Sequence, residues 1–161
     1  MQVSGSLKFD GAATDRANPQ RLAKLVGIKP RDLVFLAGST QAPEEAFAVE
    51  CFRRLSSEHP ELRLILVPRH PERFDEVARM VEKASGCVWQ RRSQFHDAGA
   101  MSRSCVLLVD TIGELGAWWG AAHIGFVGGS LGSRGSQNMS RRPMAWRSRS
   151  GRARAFATSF R

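Results

Sequence analysis

The sequence predicts an α/β fold built on an open, doubly wound parallel sheet. Three observations carry that expectation: short apolar runs of strand length, helical apolar stripes between them, and polar or glycine-rich turns at the strand ends. A helix at about Pro19 to Val26 precedes the first strand, Leu33 to Ala37 (LVFLA). Phe47, Cys51, Phe52 and Leu55 then share one face of a helix. Leu62 to Val67 (LRLILV) is the second strand, and Phe74, Val77, Ala78 and Val81 follow as an i, i+3, i+4, i+7 stripe. Cys87 to Gln90 and Cys105 to Val109 (CVLLV) are the third and fourth strands; a helix at about Ile112 to Ala122 leads into the fifth, Ile124 to Val127. Runs this apolar belong to parallel strands covered on both faces. The expected order is β-α repeated four times with a closing strand.

At 161 residues the chain has the size of one domain, and 42% apolar with 24% charged residues excludes wholesale disorder. The net charge of +9 points at first to a polyanion partner. Its distribution argues otherwise. Seven of the 24 lysines and arginines are arginines between Ser140 and Arg161, a stretch without acids, which leaves 17 against 15 Asp and Glu elsewhere. Cys51, Cys87 and Cys105 have no CxxC spacing and read as buried thiols in a reducing compartment, and the four histidines show no metal-ligand spacing. No cofactor or metal is expected. No apolar run approaches a membrane span and the polar start is not a signal peptide, so the chain reads as cytosolic.

In a doubly wound sheet every strand-to-helix turn falls on one edge, where ligands bind. Four unusual turns converge there. Gly38-Ser39-Thr40, ahead of Pro43-Glu44-Glu45, reads either as a helix start with a hydroxyl cap or as an anion site. Pro68-Arg69-His70-Pro71 fixes the backbone around two cationic or protonatable side chains; a rigidly held guanidinium suits a phosphate or carboxylate, whereas His70 can equally cap the next helix. Arg73 can pair with Glu72 or Glu76. Thr111-x-x-Glu114 matches a capping box. The run from Gly128 through Asn138 is the most glycine-dense segment, able to cradle an anion or to lie as a surface loop, and it has neither the Walker ending nor a dinucleotide fingerprint.

Five segments in this order resemble one family, the 3-deoxy-D-manno-octulosonic acid (Kdo) transferases. They are Gly5 to Asp10, Ala37 to Thr40 with Glu44-Glu45, Leu64 to Phe74, Val109 to Leu115, and Ile124 to Leu131 with Arg134-Gly135 and Gln137-Asn138. The resemblance implies a Rossmann-like sheet, the C-terminal, donor-binding half of a two-lobed B-type glycosyltransferase, over residues 1–139. It implies an enzyme that moves Kdo from CMP-Kdo to a lipid A precursor at the cytoplasmic face of the inner membrane, the chain itself being soluble and meeting the membrane only indirectly. Ser39, Arg69, His70, Gly113, Glu114, Gly129, Ser130, Arg134 and Asn138 would form the donor site, with Arg69 on the phosphate or carboxylate. No catalytic residue is assigned, because the general base of this family lies in the other lobe, which also carries the acceptor.

The resemblance ends near Met139. Where the family continues with a Glu-Pro pair, whose glutamate reaches the nucleotide ribose, this chain has Arg141-Arg142. Residues 140–161, rich in Arg, Ala and Ser, read as a disordered or frame-shifted tail, and the chain as an inactive piece of a longer enzyme. Translating the coding DNA in the other two frames tests this. Two further readings stay open: another nucleotide-sugar transferase or epimerase lobe with a uridine donor, and a nucleic-acid or acidic-lipid binder working through the arginine tail. The near-neutral body argues against nucleic acid. Trp118 and Trp119 read as core, or as an exposed apolar patch if one faces outward.

Overall fold

The computed structural model describes residues 18–84, 88–95, 106–129 and 131. In chain order the elements are α1 (Pro19–Leu25), β1 (Leu33–Thr40), α2 (Glu44–Ser56), β2 (Leu62–Pro68), a 3-10 turn (Pro71–Arg73), α3 (Phe74–Lys83), β3 (Trp89–Arg91), a second 3-10 turn (Arg92–Gln94), β4 (Val106–Leu108), α4 (Leu115–Ala121) and β5 (Ile124–Val127). The five strands form one sheet in the order β3-β4-β2-β1-β5, and every pairing is parallel. The expected fold class is the observed one. In place of a fourth full β-α unit, the described part of the β3–β4 connection carries only the turn Arg92–Gln94.

Alternation along the strands builds a three-layer sandwich, because successive side chains point to opposite faces. Val34 and Leu36 of β1, Ile65 and Val67 of β2, and Leu107 and Val109 pack with Leu22, Trp118 and Trp119 under α1 and α4. Ala37, Leu62, Leu64, Leu66, Val106 and Leu108 pack with Ala48, Val49 and Phe52 of α2 and Val77, Ala78 and Val81 of α3. Val77, Ala78 and Val81 of the α3 stripe are thus buried as expected, with Phe74 half-buried outside the core cluster, while the α2 face differs. Phe52 is buried, but Phe47 and Leu55 are 55% and 47% exposed and Cys51 is an exposed, free thiol. At 100° per residue, positions 47, 51 and 55 form their own stripe, about a quarter-turn from position 52. Cys87 and Cys105 lie outside the described residues. Trp118 and Trp119 are both core, so neither makes an exposed patch.

Glycine allows the closest approaches. A Cβ at Gly38 would stand 2.9 Å from the Trp119 ring, and one at Gly125 would enter the same ring, so Trp119 lies against backbone at the β1–β5 seam. A Cβ at Gly128 would strike backbone: the Ser39 carbonyl oxygen, and the Thr40 Cα at 2.5 Å. Gly128→Ala is therefore expected to destabilise by about 1–3 kcal/mol or more, because neither strand end can yield cheaply. Gly116, on the exposed side of α4 with open space around it, gives the contrast: Gly116→Ala should stabilise by up to about 1 kcal/mol. Urea midpoints of the two variants check both signs.

At the other end of the seam, the His123 amide donates to the Val34 carbonyl (2.9 Å) and the Val34 amide donates to the His123 ring Nδ1 (3.1 Å). A side chain thus extends the ladder between β1 and β5 by one bond.

Candidate functional site

The carboxyl ends of all five strands lie on one rim, as parallel pairing requires. At its centre β1 ends in a bulge between Gly38 and Thr40, where Ser39 takes a left-handed backbone (φ 56°). That conformation costs a non-glycine residue roughly 1–2 kcal/mol, and bonds on both sides hold it. On one side the Gly128 amide donates to the Gly38 carbonyl (2.8 Å); on the other, the Arg69 amide donates to the Thr40 carbonyl (3.0 Å). The proline-arginine turn and the glycine loop thus flank the last three residues of one strand. Chain order also reverses here: β2 follows β1 on one side, and β5 returns on the other. In open α/β sheets such a switch point is where ligands bind.

Six of the nine expected donor-site residues are described: Ser39, Arg69, His70, Gly113, Glu114 and Gly129. Ser130, Arg134 and Asn138 lie outside the described residues. Arg69 is exposed at the rim, beyond the buried Pro68. His70 is the N-cap of the 3-10 turn but makes no side-chain cap bond; its Nδ1 lies 3.7 Å from Glu72. Gly113 takes φ 89° in the turn after β4, which α4 follows only from Leu115, three residues later than expected.

Glu114 sits at this turn with its carboxylate committed inside the protein. It receives a bidentate pair from Arg92 (2.9 and 2.7 Å), the Thr111 hydroxyl (2.9 Å) and the Trp118 indole N–H (3.3 Å). Glu114 is itself the N-cap of α4, so the Thr111-x-x-Glu114 spacing makes a side-chain bond instead of a capping box. Next to it, Asp110 accepts from the Ser93 amide (2.8 Å) and hydroxyl (2.7 Å), tying the turn after β3 to that after β4.

The hydroxyl-cap reading of Gly38-Ser39-Thr40 does not hold either. Ser39 and Thr40 remain in β1, Pro43 is the N-cap of α2 without a side-chain bond, and the Thr40 hydroxyl is buried with no hydrogen-bond partner among the described residues. The acids fill that role. Glu44, 1% exposed, accepts the amides of Gln41 (2.8 Å), Gly129 (2.8 and 2.9 Å) and Leu131 (3.0 Å). Glu45, 2% exposed, accepts from Arg73 (2.6 Å), which also grips Glu76 (2.9 Å). The hydrogen bonds Arg73 donates, to Glu76 first and then to Glu45, raise its pKa above the ordinary value, and the Arg73 bond holds the Glu76 carboxyl below its own. The stabilisation from Glu76 is therefore present above the usual carboxylate range and is lost as pH falls through the depressed value.

Sequence reasoning thus found the rim but missed what Arg92, Asp110 and Glu44 do there. Glu44 and Asp110 carried a signal only as parts of family-like segments, and Arg92 carried none.

With this geometry in hand, the relatives are informative. The chain is 37% identical over 143 residues to the 3-deoxy-D-manno-octulosonic acid transferase of Bordetella pertussis, covering 85% of this chain and 32% of that protein. The enzyme of the same name from Haemophilus influenzae is 33% identical over 139 residues, with 86% and 32% covered. This chain is a homologue of the Kdo transferases. No family model matches it. Among solved structures, the C-terminal CMP-Kdo binding domain of WaaA from Acinetobacter baumannii superimposes with a TM-score of 0.64 at 35% identity, over 75% of this chain and 61% of that one. This Kdo transferase homologue spans about a third of the length of the curated relatives it matches. Among the described residues, no helix is long and apolar enough to cross a membrane.

Proposed function

We propose that residues up to about 139 are the donor-binding lobe of a B-type glycosyltransferase that moves Kdo from CMP-Kdo to a lipid A precursor at the cytoplasmic face of the inner membrane. One observation carries the reading: the likeness in fold and sequence to a CMP-Kdo binding domain, 35% identical at TM-score 0.64. The rim supports it physically. Arg69 is exposed on this rim, in the turn after β2, and a guanidinium there can hold the donor's phosphate or carboxylate and stabilise the charge that builds on the departing CMP. His70 and the backbone at Ser39 and Gly113 belong to turns of the same rim and would line the donor site, and Ser130, Arg134 and Asn138 would complete the donor contacts. Inverting transfer also needs a base beside the acceptor hydroxyl, a role this lobe leaves to the acceptor-binding one. Residues 140–161, expected as a basic tail, lie outside the described residues.

Calorimetric titration of the chain with CMP, UMP, GMP and AMP tests the reading. CMP is expected to bind most tightly. A preference for UMP would assign a uridine donor instead, and equal affinities would remove base recognition from this rim.

A further inference from the structure

Among the described residues of the glycine loop, the backbone amides are already occupied. Gly129 and Leu131 direct their N–H groups at the Glu44 carboxylate, from positions 85 and 87 residues further along the chain, and the Gln41 amide joins them from the start of α2. Backbone amides converging after a strand at a switch point, beside a helix N-terminus, are the arrangement by which such folds commonly hold a phosphate. Here the protein supplies the anion itself. Glu44 is 1% exposed, so its charge is stabilised by hydrogen bonds within the protein and not by solvent. On the other flank of β1 stands Arg69, whose amide is bonded to Thr40.

A nucleotide phosphate held by Arg69 therefore has a cation on one side of β1 and a filled amide nest, with a carboxylate at its centre, on the other. We propose that Glu44 is a specificity-determining residue: by filling the nest it restricts the rim to nucleotides with one phosphate and rejects nucleoside diphosphates. The inference rests on the cytidine-donor reading above. A second phosphate extending toward β5 meets Glu44 in place of free amides. A cationic rim by itself favours the more highly charged CDP over CMP, and a repulsive element of this kind opposes that order.

The test is calorimetry at fixed ionic strength on the full chain and on Glu44→Gln, which keeps the shape and removes the charge. Wild type is expected to bind CMP about tenfold or more tighter than CDP, and Glu44→Gln to lose that ratio. Equal wild-type affinity for CMP and CDP overturns the inference, as does a ratio unchanged by the substitution. If Glu44→Gln does not fold, the wild-type ratio alone decides. Pyrophosphate, which has no base, keeps the inference separate from the reading beneath it: it should bind Glu44→Gln about tenfold tighter than wild type whichever base the site prefers. Equal pyrophosphate affinity overturns the role of Glu44 and leaves a CMP preference standing.

Discussion

Truncating Trp118 to alanine is expected to destabilise the chain by about 3–5 kcal/mol, the range for removing a large aromatic from a packed core. The indole is fully buried between the sheet and the α1–α4 layer, in contact with the cluster that includes Leu22, Val34, Leu36 and Val109. Its N–H also reaches Glu114. Trp118→Phe separates the two contributions: it fills most of the volume, so its main cost is the hydrogen bond, about 1 kcal/mol. Denaturant midpoints should therefore fall in the order wild type, Trp118→Phe, Trp118→Ala, with the larger step second. Equal midpoints for the two variants would mean that the indole bond, and not the packing, holds this corner together.

Arg69→Ala should weaken CMP binding by roughly 10- to 150-fold, the equivalent of about 1.5–3 kcal/mol for charge-assisted hydrogen bonds. The Arg69 bond to Thr40 is made by the backbone amide and survives in alanine. Thermal stability should hardly change, since the side chain is exposed. Arg69→Lys keeps the charge but loses the planar fork, so its affinity should fall between the two. Calorimetry with CMP reads all three. Undiminished affinity in Arg69→Ala would move the donor's anionic group to another part of the rim.

The strands and the rim were legible because both depend on local pattern. Alternation within LRLILV sends Leu62, Leu64 and Leu66 to one face and Ile65 and Val67 to the other, as the two core clusters show. Parallel strands then leave the turns only one edge to share. The side-chain partners were not legible, because each is set by tertiary contact between distant segments. Glu44 reads locally as an acid favoured at a helix start, yet its main partners are amides more than 80 residues away. Thr111 and Glu114 have capping-box spacing, but Arg92, 22 residues upstream, claims the carboxylate. On α2, apolar residues at 47, 51, 52 and 55 look like one stripe until the sheet shows that only Phe52 among them is needed to cover it.

The place of β1 in the sheet bears on how the chain comes off the ribosome. One edge of this strand is matched by β2, which is made soon after it, but its other edge waits for β5, with Phe35 aligned to Ile124. Until then the row of backbone groups along Phe35 to Gly38 has no neighbour, and an unpaired strand edge invites adhesion to other nascent chains. Closure of the seam has to wait until Ile124–Val127 is made, and an edge left open until then is the kind of surface a chaperone shields.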